Sequence, residues 1–438
     1  MKPAPHTLIF DIGKTNKKAY VFDEAFEVVH EQSRAFAETT DDDDFPADDL
    51  AAIEAWIDET TADLCRRLAI GQVNFSTYGA TLVHLDRDGA PTTPLYNYLK
   101  PVDTGFLRPI YRRFGGMRHL HAVLGSPPLG MLNSGWQLAW LRAERPTAFA
   151  KTKVTLHFPQ YLAHRLTGEP RSEYTSVGCH TALWDFPRGR YHDWTRADGY
   201  AERLPPVGHA GQATTVELHG RAVRVGVGIH DSSAALVPYL RRHEAPFVLL
   251  STGTWSIALN AWNHSPLTTY ELSRDCLTFM RVDGRPVKAT RLFLGREHDV
   301  RVTELSEHYG VHPDTYKLVR YRRELDPASE PPRFAWTELA DFVERGSGRH
   351  LDDAHFQAAY HRLMRELVDV QLAALALVVE ADDLRHLIVD GGLARSELLL
   401  AMLRRAYPGA VVEASANPVG SALGAALVLQ PAAVRNAG

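Results

Sequence analysis

Three cysteines in 438 residues, Cys65, Cys179 and Cys276, are too few and too widely spaced for a disulfide framework. None shares a C-x-x-C spacing, so the pattern argues against a zinc site and for reduced thiols in a cytoplasm. No apolar run approaches the ~20 residues that cross a bilayer. No charged-then-apolar leader precedes the first strand-like segment either, so the expectation is a cytoplasmic chain without a membrane partner. Excess positive charge is also missing: a formal charge of −5 argues against nucleic acid as a partner. The signatures G-x-x-x-x-G-K-[ST], G-x-G-x-x-G and G-x-S-x-G do not occur. Their absence weighs against P-loop kinases, Rossmann dehydrogenases and α/β-hydrolases.

What the chain does have is a repeated hairpin phrase. Near the start, Leu8-Ile9-Phe10-Asp11-Ile12 runs into the polar turn Gly13-Lys14-Thr15-Asn16 and returns as Lys17-Lys18-Ala19-Tyr20-Val21-Phe22. A second phrase of the same shape opens at Phe247, turns at Thr252-Gly253-Thr254 and returns through Ser256 to Asn260. A glycine in such a turn removes the side chain that keeps an anion from the backbone, so successive N–H groups form a nest. Thr15, Asn16 and Thr254 add polar donors, and Lys14, Lys17 and Lys18 add positive charge. Asp11 closes the first strand at the turn, where a carboxylate holds Mg²⁺ directly or through water. Two such turns, one per half of the chain, suit a polyphosphate gripped from both sides.

The length suggests two or three domains. The acidic run Asp41-Asp42-Asp43-Asp44 reads as a solvated loop, and apolar spacing predicts a helix over 48–68. Residues 100–170 read as mostly helical, 261–335 as irregular, and 353–380 as a long helix. A charged, Pro-flanked stretch over 238–246 marks a boundary between an N-terminal domain, 1–241, and a C-terminal one, 242–438. Each half opens on a hairpin and continues with strands and helices, which argues for two related α/β lobes with a cleft between them.

Asp231 follows the strand-like run ending Gly228-Ile229-His230 and precedes Ser232-Ser233-Ala234-Ala235. An aspartate there caps a helix well. It is also the candidate catalytic base, since phosphoryl transfer to an alcohol needs a carboxylate beside the attacking hydroxyl. Gly391-Gly392, after the apolar run Leu387 to Val389, suits close approach of a nucleotide at a helix start. His157, His180 and His219, like Trp136, Trp140 and Trp184, read as structural residues.

Taken together, these segments resemble the FGGY carbohydrate kinases, most of all their L-rhamnulokinase and deoxy-ketose kinase members. Asp11 to Lys18 and Ser251 to Ser256 match the two phosphate motifs, and Asp231 matches the catalytic aspartate. Asp390-Gly391-Gly392 matches the adenosine motif, Gly424-Ala425-Ala426 the terminal helix, and Thr77-Tyr78-Gly79 and Asn133 to Leu138 segments of the first lobe. Lys14 stands where the family carries a small or hydroxyl residue, and Asp390 where a third glycine is common. The resemblance implies an actin/hexokinase/Hsp70-like ATPase fold of two ribonuclease H-like domains with an interdomain cleft. It implies ATP and Mg²⁺ as cosubstrates, with Asp11 and Asp231 toward the metal. Gly13, Lys14, Thr15, Asn16, Lys17, Thr252, Gly253, Thr254, Gly391 and Gly392 are then nucleotide contacts, and Gly79, Gln137, His230 and Asp231 are sugar contacts. The implied activity is ATP-dependent phosphorylation of a terminal ketose hydroxyl, with L-rhamnulose or L-fuculose favoured over xylulose or ribulose. Another actin-fold phosphotransferase or phosphatase, or a non-catalytic sugar sensor, stays open, as does a homodimer.

Overall fold

The computed structural model describes residues 5–326, 331–336, 339, 346–415 and 419–430. The chain forms two compact units that interleave along the sequence. One takes Met1–Arg242, Thr278–Pro286 and Val419–Gly438, and the other His243–Leu277 and Val287–Pro418. The first cut, after Arg242, falls one residue from the boundary expected between 241 and 242.

In the first unit β1 (His6–Ile12) and β2 (Lys17–Phe22) form the expected antiparallel hairpin, with β3 (Val28–Arg34) beyond. On the other side β1 runs parallel to β4 (Ile70–Thr77), which runs parallel to β6 (Arg221–Gly226) and to the short β7 (Ile229–His230). The antiparallel β5 (Ala213–Leu218) closes that edge. Leu8, Ile9, Phe10 and Ile12 are fully buried, because both faces of β1 are covered. Leu8, Phe10 and Ile12 meet Ile53, Trp56 and Ile57 of helix α1 (Leu50–Arg67), whereas Ile9 faces Ala234 and Val237. Those two belong to α3 (Asp231–Arg242), which packs with Ala422, Ala425 and Ala426 of the last helix, α7 (Gly420–Leu427). Small residues permit that contact: a Cβ on Gly424 would lie 1.8 Å from the Ala234 carbonyl oxygen. Asn74 of β4 donates to the Ala425 carbonyl across 2.9 Å, fastening α7 to the sheet. Helix α2 (Ser134–Glu144) and the indoles of Trp136, Trp140, Trp184 and Trp194 build a separate core.

The second unit is built on a six-stranded sheet. Its central pair, β8 (Val248–Thr252) and β9 (Ser256–Asn260), is the second expected hairpin. The order continues through β11 (Pro286–Leu292) to β10 (Cys276–Met280) on one side, with Thr278–Pro286 counted in the first unit. On the other it continues through β12 (His386–Gly391) to β13 (Val411–Ala414). Helices α4 (Leu294–Tyr309), α5 (Phe356–Leu375) and α6 (Glu397–Ala406) belong to this unit.

Four local expectations change. The region over 261–335 holds β10, β11 and α4; two of its cations, Lys288 and Arg291, are buried and paired, Lys288 with Glu271 at 2.5 Å and Arg291 with Asp275 at 3.0 Å. The acidic run is an exposed turn as expected except at Asp41, which is buried: Lys100 reaches Asp41 at 2.6 Å and Asp43 at 2.5 Å, and Arg145 reaches Asp42 at 3.1 Å. Helix α1 starts two residues late because Asp49 supplies the N-cap to Ala52 N–H, leaving Asp48 outside it. Helix α5 begins at Phe356 with His355 as cap, and Asp353 instead pairs with Arg362 at 2.9 Å. Among the described residues no helix is long and apolar enough to cross a membrane.

Candidate active site

Strand register brings the first group of site residues together. Ile12 of β1 sits beside Thr77 of β4, and Thr77 beside His230 of β7, so three parallel strands end level with one another. The residues that follow those ends are the Gly13 turn, Tyr78-Gly79 and Asp231. The carboxyl ends of parallel strands are where α/β sheets carry ligands.

At this edge the two aspartates are unusual. The Asp11 carboxyl is pushed up to about 6 by burial and by the Asp231 charge, against hydroxyl hydrogen bonds from Ser76 and Ser421. Ser421 belongs to α7 and donates to Asp11 Oδ2 across 2.9 Å. Burial likewise raises Asp231 to about 6, although Ser232 donates both its N–H, at 2.6 Å, and its hydroxyl to Oδ1. Asp231 Oδ1 is also 3.2 Å from Nε2 of His230, whose ring burial holds neutral, with a pKa near 3. Gly79 leaves room for that ring, since a Cβ there would lie 3.0 Å from it and 2.9 Å from Cys179 Sγ. Gln137 is buried in α2. Its amide nitrogen donates to the carbonyls of Ala80 and Met131, while Oε1 has no hydrogen-bond partner among the described residues.

The lysines behave otherwise than expected. Lys14 and Lys17 carry their ammonium groups to Asp48, at 2.6 and 2.9 Å, and Tyr78 donates its phenol to the same carboxylate at 2.8 Å. Lys18 pairs with Glu31 at 3.0 Å. Burial alone would raise Asp48, but hydrogen bonds and charge from the two lysines hold it below the usual carboxylate range. The charges of Lys14 and Lys17 therefore brace the turn from beneath instead of facing an anion. Thr15 and Asn16 at its tip are exposed. Replacing Asp48 by Asn is expected to destabilise the first unit by about 2 kcal/mol, since Lys17 keeps a buried charge with a weakened partner. Denaturant unfolding checks the loss.

In the second unit Thr252 is buried, and every polar group it has is engaged. Its hydroxyl donates to the Asp390 carbonyl at 2.6 Å and accepts from Leu393 N–H at 3.0 Å, and its carbonyl accepts from Gly392 N–H at 2.5 Å. Thr252 thus staples the turn after β8 to the turn after β12. A side chain on Gly391, at φ +86°, would run into the Thr252 carbonyl at 2.1 Å. Asp390, in place of a third glycine, accepts from Gly391 N–H through Oδ1 at 2.8 Å. Gly253, Thr254, Gly391 and Gly392 are exposed around this junction.

Asp48, Tyr78 and Ser421 escaped the sequence reading. Asp48 looked like part of a helix, and Ser421 reaches Asp11 only through the return of α7, for which no local pattern exists.

The chain is similar to known sugar kinases. An L-fuculokinase of Salmonella typhi is 27% identical over 271 residues, covering 58% of this chain and 56% of that protein. One of Escherichia coli (strain K12) is 25% identical over the same length. The chain thus spans about half the length of the curated relatives it matches. A solved carbohydrate kinase from Novosphingobium aromaticivorans has a TM-score of 0.77 at 25% identity, covering 97% of this chain and 93% of that one. A xylulose kinase from Lactobacillus acidophilus has a TM-score of 0.73 at 13% identity, covering 98% and 89%, a likeness of fold. The fold is the actin/hexokinase-like ATPase fold of such kinases. Residues 6–232 match the FGGY family of carbohydrate kinases, N-terminal domain, and 244–436 match Carbohydrate kinase FGGY, C-terminal domain. On those two matches, which take in both hairpins and the Asp231 edge, the chain belongs to the FGGY family of carbohydrate kinases.

Proposed function

We propose that this protein transfers the terminal phosphoryl group of ATP to a terminal hydroxyl of a ketose, with L-fuculose or L-rhamnulose favoured over xylulose or ribulose. The observation that carries the reading is the pair Asp11 and Asp231, two carboxyls raised together at the carboxyl ends of β1 and β7. The deoxy-ketose preference draws on the L-fuculokinase relatives.

In this reading Asp231 accepts the hydroxyl proton as the alcohol attacks. A carboxyl near 6 is a better base than a free aspartic acid and is still ionised at neutral pH. His230 and Gly79 bear on the sugar, and the open acceptor Oε1 of Gln137 gives that residue a means of receiving a hydroxyl. Backbone N–H groups of the Gly13 turn, with Thr15 and Asn16, receive phosphate oxygens. Gly253, Thr254, Gly391 and Gly392, in the C-terminal half, receive the nucleotide. Lys14, Lys17 and Thr252 support these turns from within. Asp11 and Asp231 offer hard oxygen donors whose mutual repulsion a divalent cation relieves, so the pair fits Mg²⁺. Bound there, the ion would neutralise charge on the phosphates during transfer.

A coupled ADP-release assay over a panel of ketoses, with identification of the product, tests the reading. A phosphorylated ketose supports it. Inorganic phosphate alone points to a phosphatase, and no turnover by folded, nucleotide-binding protein points to a sensor. A pH profile gives a second check. Protonation removes the base, so kcat/KM is expected to fall as the pH drops through about 6.

A further inference from the structure

Beside Asp231 lies a cluster of which the proposed reaction uses only His230. The thiol of Cys179 and one ring nitrogen each of His180 and His230 lie within 4.8 Å of one another, and all three residues are buried. They come from two places in the first unit: the 179–180 segment and the end of β7. Spacing along the chain gives no hint of them, which is why the cysteines read as inert and His180 as structural.

We propose that Cys179, His180 and His230 form a binding site for a soft divalent cation of the zinc class, and that an ion held there blocks phosphoryl transfer. The donor set is one sulfur and two imidazoles, the ligands zinc takes and Mg²⁺ avoids. The site is also braced as such sites are. Nδ1 of His180 is 3.0 Å from the Leu132 carbonyl, an outer contact of the kind that fixes a ligating imidazole. The His180 carbonyl is itself held by Asn133 at 2.8 Å. The backbone at His180 is left-handed, φ 43°, a conformation uncommon outside glycine and kept only where the surroundings enforce it.

Asp231 lies against one member of the cluster, its Oδ1 3.2 Å from His230 Nε2. An ion on this cluster therefore takes His230 away from the sugar, beside the base. Binding converts the Cys179 thiol to a thiolate–metal bond and releases one proton to solvent, with no change of oxidation state.

The binding half of this inference is independent of the kinase reading, and the inhibitory half rests on it. The test uses the full chain, stripped of metal by a chelator and then titrated with Co²⁺. A near-ultraviolet thiolate-to-cobalt absorption saturating at one equivalent is expected, together with a rise in the unfolding temperature on adding Zn²⁺. Both should be lost in Cys179→Ser and in His180→Ala, each checked for folding by circular dichroism. No absorption in the parent overturns the site, as does an absorption that persists in Cys179→Ser, which would come from Cys65 or Cys276. For inhibition, Zn²⁺ should compete with the sugar, and Cys179→Ser should keep turnover in metal-free buffer while needing at least ~10-fold more Zn²⁺ for half-inhibition. Equal sensitivity of parent and variant overturns the inhibitory half. A cobalt signal in a protein that phosphorylates no sugar would leave the metal site standing and bring down the kinase reading alone.

Discussion

Asp231→Asn should lower turnover by about 10³-fold, the size of effect expected when a positioned general base is lost. The amide keeps the shape of the carboxyl and still accepts from Ser232 through its oxygen, so the strand end and α3 should survive. Nucleotide affinity, measured calorimetrically with ADP and no divalent cation, should be unchanged, because the proposed nucleotide contacts lie at Gly13–Asn16, Gly253–Thr254 and Gly391–Gly392. Near-normal turnover would show that another group takes the proton. A second readout separates this chemistry from damage to the fold. Since Asp231 titrates near 6 in the folded chain and near 3.8 otherwise, the native state binds its proton more tightly. Its contribution to stability is whole below about pH 4 and is lost as the pH rises through 6. The Asn variant should accordingly unfold at a higher temperature than the parent above pH 6, and the gap should close toward pH 4.

Gly424→Val is the other large change. A Cβ at this position would lie 1.8 Å from the Ala234 carbonyl oxygen and 3.1 Å from its Cα. Both are backbone atoms of α3, which cannot swing aside as a side chain does. The two helices must separate, at more than the ~1–3 kcal/mol of ordinary overpacking, and the unfolding temperature should fall by roughly 10 °C. Activity should fall further than stability requires, because α7 carries Ser421 to Asp11 and α3 begins at Asp231. Gly409 is the matched control: a Cβ there meets nothing within 4 Å, so Gly409→Ala should leave both readouts alone. If Gly424→Val melts with the parent, the close packing of α3 and α7 does not govern this edge.

How much of this was legible in the residues depends on how far each signal reaches. The hairpins were, because an apolar run, a glycine turn and a second run fix the pairing of neighbouring segments, and β1/β2 and β8/β9 follow. The place of Asp231 was, because the end of a short strand and the start of a helix are both local patterns. The lysines misled for the same reason. Lys14 and Lys17 beside a glycine look like anion ligands until Asp48, far along the chain, claims them. Thr252 misled likewise, its hydroxyl being taken by the Asp390 carbonyl. Composition hid β11, whose buried Lys288 and Arg291 make a strand look like loop until Glu271 and Asp275 are seen beside them. Gly424-Ala425-Ala426 announced a helix built for close contact without saying that its partner was α3.

The return of α7 bears on how the protein is made. A ribosome emits the β1/β2 hairpin and α3 long before it emits Gly420–Leu427, yet the face that Ile9, Tyr20 and Ala234 present is closed by Ala422, Ala425 and Ala426. During synthesis the nascent N-terminal half therefore waits with an oily flank bare, a target for holding chaperones, until Gly420–Leu427 leaves the exit tunnel and seals it.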